Sequence, residues 1–225
     1  MILAKANTDF QLPYPAAIIF DFDGVVVDSL QAHLDAWNKS CVQIFQRPLD
    51  NFSALSGLST RAIASKISHS FGHPSLAKPL TALKETYLES LIDQIELIPG
   101  IRYLMNQLET NQIPFALGSN SKRTFINSVL MHHDIKIPVV ISSDDVKKPK
   151  PHPEIFLTCA KKLGLPFESY KNILVFEDST HGIESAGKAG MTAIGVTTLH
   201  EAPTLIKKGA SFTVDNFFQV HFATD

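Results

Sequence analysis

Residues 16 to 24 read Ala16-Ala17-Ile18-Ile19-Phe20-Asp21-Phe22-Asp23-Gly24. An uncharged apolar run ends abruptly in two carboxylates and a glycine. A run this short and continuous, closed by a polar glycine turn, predicts a strand buried on both faces. The carboxylates would then sit at the strand's carboxyl end. In open parallel sheets that edge is where ligands bind.

Outward from this stretch the same pattern recurs. Pro114–Gly118, Pro138–Ile141, Ile173–Phe176 and Thr192–Val196 are short apolar runs, and Ala210–Val214 is a weaker one. Helical spacing falls between them. Leu104 and Leu108 lie four apart in Ile101–Glu109, and Ile155, Phe156, Cys159 and Leu163 share one face of Pro153–Leu163. His181–Gly190 opens after Asp178-Ser179 and stops at a glycine, as a capped helix does. Alternating helix and strand predict an α/β fold: a three-layer Rossmann-like core around a mostly parallel sheet. Leu30 to about Glu96 breaks the alternation. It shows helical spacing in Ala32–Phe45, Thr60–Ile67 and Leu80–Ile95, divided by Pro48, Gly57 and Gly72-His73-Pro74. This segment is expected to be an inserted all-helical domain over 30–97, leaving 1–29 and 98–225 as the α/β core.

The 225 residues correspond to about one and a half domains at roughly 150 residues each, and the insertion accounts for the half. With 44% hydrophobic and 19% charged residues the chain can build a packed core, which excludes wholesale disorder. A net charge of −2 gives no electrostatic case for binding nucleic acid or a membrane surface. Cys41 and Cys159 form no C-x-x-C pair and read as reduced, buried thiols. No apolar run approaches the length of a membrane span, and Met1–Lys5 does not read as a signal peptide, so a cytoplasmic protein is expected by default. It is expected to be a monomer or weak dimer.

The strand ends carry the chemistry. Asp21 and Asp23 follow the first run, Ser119-Asn120-Ser121 the second, Asp144-Asp145 and the Lys147-Lys148-Pro149-Lys150 loop the third, and Glu177-Asp178 the fourth. Two like charges 4 Å apart repel by about 4 kcal/mol at an effective dielectric near 20. Asp21, Asp23, Glu177 and Asp178 on one rim therefore call for a cation. An all-oxygen donor set suits Mg²⁺, which commonly completes its shell with water and phosphate oxygens. A lysine and a hydroxyl alongside suit the remaining phosphate oxygens.

Those residues also carry a family resemblance. Asp21-Phe22-Asp23-Gly24-Val25-Val26-Val27-Asp28-Ser29 resembles the first motif of the haloacid dehalogenase superfamily, and Gly118-Ser119-Asn120 its second. Lys150-Pro151-His152-Pro153-Glu154-Ile155-Phe156 resembles the third, with Pro149 where relatives commonly carry glycine. Lys147 and Lys148 stand close by, and the K-P-x-P spacing selects Lys150. Phe176-Glu177-Asp178-Ser179-Thr180-His181-Gly182-Ile183 resembles the fourth. The insertion between the first two motifs resembles the cap of the subgroup that includes β-phosphoglucomutase and phosphoglycolate phosphatase.

The resemblance implies roles. Asp21 would be the nucleophile and Asp23 the general acid and base. Asp21, the Asp23 carbonyl and Asp178 would hold Mg²⁺, with Glu177 a further ligand or a support behind them. Ser119 and the Asn120 N–H would bind phosphoryl oxygens, and Lys150 would neutralise phosphate charge and steady Asp21. Gly24 would permit the tight turn, and Asp28 with Ser29 would cap the next helix. His33, at the hinge, would contact Asp23. Gly57 and Arg61 lie in a stretch resembling the specificity loop, and Lys84 is a candidate to face the substrate. Relatives that cleave carbon–halogen or carbon–phosphorus bonds lack an acid at the position of Asp23, so its presence implies phosphate ester chemistry. The expected function is a Mg²⁺-dependent phosphatase acting on a small phosphorylated metabolite, a sugar phosphate or similar. The alternative is a phosphomutase of the β-phosphoglucomutase type, in which a sugar hydroxyl rather than water takes the phosphoryl group.

Overall fold

The Ala17–Phe20 run forms a strand whose four residues are all buried. Ala17 and Ile19 point into one apolar cluster and Ile18 and Phe20 into another, so the strand has helices on both faces and no solvent side. The structure, a computed structural model, describes residues 10–12, 14–49, 55 and 58–222. In chain order the strands are β1 (Phe10–Leu12), β2 (Ala17–Phe20), β3 (Val27–Asp28), β4 (Glu96–Leu97), β5 (Phe115–Gly118), β6 (Val139–Ile141), β7 (Ile173–Glu177), β8 (Thr192–Val196), β9 (Phe212–Val214) and β10 (Val220–Phe222). The helices are α1 (Leu30–Phe45), α2 (Thr60–Ser70), α3 (Ala77–Glu89), α4 (Ile101–Thr110), α5 (Arg123–His132), α6 (Glu154–Lys162), α7 (Thr180–Lys188) and α8 (Ala202–Lys208).

Six strands form one sheet in the order β6-β5-β2-β7-β8-β9, with every pairing parallel. The chain thus begins in the middle of the sheet, winds outward through β5 and β6, then returns past β2 to build β7, β8 and β9. The winding direction reverses between β2 and β7. Loops leaving neighbouring strands there diverge to opposite faces and open a crevice. Asp21 follows β2 and Glu177 closes β7, so the topology alone brings the first and fourth motifs together.

After β2 the chain makes a tight loop rather than a helix. The N–H groups of Val25, Val26 and Val27 all bond the Phe22 carbonyl, and all three valines are fully buried. Val27–Asp28 then pairs antiparallel with Glu96–Leu97. This two-stranded ribbon carries the chain out to α1, α2 and α3 and back. The three helices pack on one another around Trp37, Cys41, Ile63, Ala64, Ile67 and Leu80, a cluster separate from those of the sheet. Ala32, Ala36 and Leu88 join the sheet's own cluster and fasten the insertion at its base. Cys41 and Cys159 are buried and unbridged, and burial pushes the Cys41 thiol up to about 11. Among the described residues no helix is long and apolar enough to cross a membrane.

Candidate active site

Lys150 is the centre of the rim. Its loop folds against α6, the Asn120 side-chain oxygen accepts its backbone N–H at 3.0 Å, and the ammonium lies 4.7 Å from the Phe156 ring centroid. The buried Nζ donates to Asp21 Oδ1 and to Glu177 Oε1, each at 2.6 Å. Burial alone would release its proton, but the two carboxylates outweigh that and hold the ammonium above its ordinary range. Lys147 and Lys148 are exposed, and their backbone N–H groups bond the Glu154 carboxylate.

Asp21 is nearly buried. Burial and the neighbouring Glu177 charge push its carboxyl up to about 8, against the pull of Lys150. Burial, Glu177 and Asp21 likewise raise Asp178 well above the carboxylate range. One oxygen from each of Asp21, Glu177 and Asp178 can lie within 4.8 Å of the others. One lysine does not neutralise three carboxylates. All-oxygen donors and this residual charge fit Mg²⁺.

Glu177 differs from the other two. Its Oε2 accepts from the backbone N–H of Ser179 at 3.0 Å and from the Ser179 hydroxyl at 2.9 Å, while Oε1 holds Lys150. Both oxygens are therefore engaged within the protein. Ser179 in turn caps α7, accepting from the Gly182 N–H at 3.0 Å. A side chain at position 182 would put its Cβ 1.7 Å from Glu177 Oε1, so the fourth-motif glycine exists to let that carboxylate lie against the helix. Gly24 has two such reasons. Its φ of +74° favours glycine, and a Cβ there would sit 1.8 Å from Asp178 Oδ2.

Asp23 occupies a different environment two residues on. Its Oδ1 accepts from the Ser29 hydroxyl at 2.6 Å and from His33 Nε2 at 3.0 Å, and Oδ2 accepts from the Ser121 hydroxyl. Burial would raise its carboxyl, but the His33 charge and these three hydrogen bonds win and hold it well below the usual carboxylate range. His33 is itself pushed down, by burial and then by the Lys84 charge, against the pull of Asp23. Ser29 stands at the N-terminus of α1 but its side chain does not cap the helix; it turns to Asp23 instead. Asp28 is exposed in β3 and lines the cleft.

The remaining candidates fall into two sets. Asn120 lines the cleft beside Ser121. Ser119 is buried just behind, its hydroxyl accepting the Ser121 N–H at 2.9 Å. Lys84 is 2% exposed, with Nζ 5.6 Å from the Trp37 ring centroid and no hydrogen-bond partner among the described residues. Burial brings it down to about 8. Arg61 projects from α2 into solvent and does not line the cleft. Gly57 lies outside the described residues. Asp144 and Asp145 fasten the β6 loop to α5: Asp144 accepts the Arg123 N–H at 3.0 Å, and Asp145 binds Ser142 and the Arg123 guanidinium. Sequence reasoning put Ser121 on the rim without a role and passed over Thr198. The Thr198 hydroxyl bonds the Gly24 carbonyl at 2.6 Å and pins the first-motif turn.

A family model described as haloacid dehalogenase-like hydrolase matches residues 18–196. The fructose-1-phosphate phosphatase of Escherichia coli is 30% identical over 191 residues, covering 82% of this chain and 97% of that protein. Among solved structures, a family IA hydrolase from Entamoeba histolytica superposes with a TM-score of 0.81 at 28% identity, covering 91% of this chain and 95% of that one. A β-phosphoglucomutase from Clostridium difficile superposes with a TM-score of 0.79 at 30% identity, covering 91% and 92%.

Proposed function

The chain belongs to the haloacid dehalogenase-like hydrolases, and we propose that it is a Mg²⁺-dependent phosphatase that hydrolyses a small phosphorylated metabolite through an aspartyl-phosphate. The observation that carries this reading is the contrast between Asp21 and Asp23. Asp21 is paired with a buried ammonium beside two further carboxylates, while Asp23 is turned away among hydroxyls and an imidazole. Two carboxylates in unlike environments suit two roles.

In the first half-reaction an Asp21 oxygen attacks phosphorus, the bond from phosphorus to the ester oxygen breaks, and the departing alcohol takes a proton from Asp23. The acid needed is the once-protonated pair of Asp23 and His33, with the proton on the carboxyl. In the second half Asp23 accepts a proton from water as that water attacks phosphorus. Inorganic phosphate leaves and the Asp21 carboxylate is restored. The carboxylate form of Asp23, held by its three donors, is the form this half requires. Lys150 neutralises phosphoryl charge and aims Asp21, and Glu177 positions Lys150. Asp21, Asp178 and the Asp23 carbonyl would hold Mg²⁺, which when bound supplies charge to the phosphoryl oxygens. Ser119 and the Asn120 N–H would serve the phosphoryl pocket. Residues 30–97 act in this reading as a cap over the core formed by 1–29 and 98–225, and its closure excludes water.

The mutase reading is supported by the His33 contact to Asp23 at the hinge and by the likeness to the Clostridium difficile β-phosphoglucomutase. Arg61 standing off the cleft weighs against it. Release of phosphate from p-nitrophenyl phosphate, with and without Mg²⁺, tests the phosphatase. Turnover that needs Mg²⁺ and vanishes in Asp21→Asn is expected; an inactive wild type or an active Asp21→Asn would overturn it. Conversion of β-glucose 1-phosphate to glucose 6-phosphate without phosphate release would favour the mutase.

A further inference from the structure

The cleft of about 830 Å³, open mouth included, has two unlike halves. The floor is the rim of Asp21, Asp23, Lys150 and Asp178. The opposing wall comes from Leu30 and Trp37 of α1, Leu58 and Ile63 at α2, and Leu199 from the loop after β8. Among the described residues, few polar side chains on that wall remain free to meet a ligand. Ser29, His33 and Ser121 are bonded to Asp23, and Thr198 is bonded to the Gly24 carbonyl. Thr60 and the exposed Asp28 are left, and Lys84 is not part of the wall.

Resting on the phosphatase reading, we propose that this enzyme selects phosphate monoesters whose alcohol is a compact apolar or aromatic group, in preference to polyhydroxylated sugar phosphates. The phosphoryl group of any such ester meets the same floor, so the wall makes the choice. A hexose phosphate would bring several hydroxyls against leucine and isoleucine side chains, with the buried Trp37 ring behind them. Each hydroxyl that loses water without gaining a partner is penalised. An aromatic or branched aliphatic alcohol loses nothing there and gains the apolar contact. Thr60 and Asp28 leave room for one or two polar substituents near the mouth.

The test compares benzyl phosphate with glucose 6-phosphate and fructose 1-phosphate, with Mg²⁺ present and phosphate release measured. All three are esters of primary alcohols, so leaving-group acidity is nearly matched. The expected result is a kcat/KM at least about tenfold higher for benzyl phosphate, the scale on which apolar pockets discriminate. Ile63→Asn narrows that ratio, and Leu199→Asn, at a less buried position, narrows it too should the first variant fold poorly. A second readout needs no turnover. Trp37 is the single tryptophan of the chain, so benzyl phosphate added to Asp21→Asn protein should change its fluorescence at lower concentrations than glucose 6-phosphate does. A sugar phosphate preferred over benzyl phosphate overturns this inference while leaving the phosphatase standing. No phosphate released from any of these esters, p-nitrophenyl phosphate included, overturns both.

Discussion

The floor and the wall of the cleft are built on opposite plans. On the floor the charged groups interlock around one cation: Lys150 holds Asp21 and Glu177, and Ser179 holds Glu177 to the start of α7. Among the insertion's candidate residues, Lys84 is buried without a hydrogen bond among the described residues, and Arg61 is out in solvent. Groups that move charge in a reaction must be fixed before substrate arrives, and hydrogen bonds do that. A surface that sorts substrates by shape needs only apolar packing. The difference says that the floor will tolerate almost no substitution and the wall a good deal.

Asp21→Asn is the harshest break on the floor. The amide keeps the shape and loses the nucleophile, so phosphate release should fall at least about 1,000-fold. Circular dichroism should show an unchanged fold. Lys150→Met comes next. It strands two buried carboxylates that shared one ammonium, and loss of one partner from a buried ion pair costs about 3 kcal/mol or more. Urea denaturation should show that loss together with near-complete loss of activity. A variant as stable as wild type would mean that the floor is not interlocked.

The raised carboxyls of Asp21 and Asp178 make a pH prediction. Asp21 titrates at about 8 in the fold and near 3.8 when unfolded. Its contribution to stability is therefore present below about pH 4 and is lost as pH rises through about 8. A bound cation competes with those protons. Mg²⁺ should raise the melting temperature more at about pH 8 than at about pH 5, by roughly 4 °C. An equal shift at both values would show that the cluster does not take the ion.

Inside the insertion, behind the wall, Lys84→Met should act in the opposite direction from Lys150→Met. Burial lowers the Lys84 ammonium to about 8, so at neutral pH its charge is a burden on the fold. Its contribution to stability grows as pH rises past about 8, where the folded amine has lost its proton. Methionine fills the same space against Trp37, and we expect about 1 kcal/mol of added stability at pH 7. Added stability with reduced turnover would mark Lys84 as a group held at a cost for the substrate. Lost stability would mean that the cation is paired.

How much of this was legible in the sequence follows the same divide. The floor could be read because strand ends demand given residue types at given offsets, and the four runs put Asp21, Ser119, Lys150 and Glu177 on one edge. Alternation then predicted a mostly parallel sheet, and all five of its pairings are parallel. Ser121, Ser29 and Thr198 could not be read, because their hydroxyls reach partners set by tertiary approach, 98, 6 and 174 residues away. A serine before a helix reads as its cap until Asp23 is seen beside it. The ribbon of β3 and β4 was invisible for another reason: two residues per strand carry no period. Helix α5 was missed although its buried residues Phe125, Ile126, Val129 and Leu130 do share one helical face. The apolar wall depends on how α1, α2 and the β8 loop converge, which no local pattern encodes.

Arg61→Ala is the mildest break and the most informative about the wall. The guanidinium is exposed, makes no contact with the floor and does not line the cleft. Exposed substitutions of this kind change stability by less than about 0.5 kcal/mol, and kcat/KM for the preferred ester should stay within about twofold. Arg61 nonetheless sits on the first turn of α2, three residues after Leu58, which does line the cleft. A modest rotation of the insertion about the β3–β4 ribbon would change which of these two faces the floor. A loss above about tenfold would therefore show that the insertion turns during the reaction and that arginine reaches the substrate. In that case the wall described by Leu58 and Ile63 is the resting wall, and the mutase reading regains the arginine whose position now counts against it.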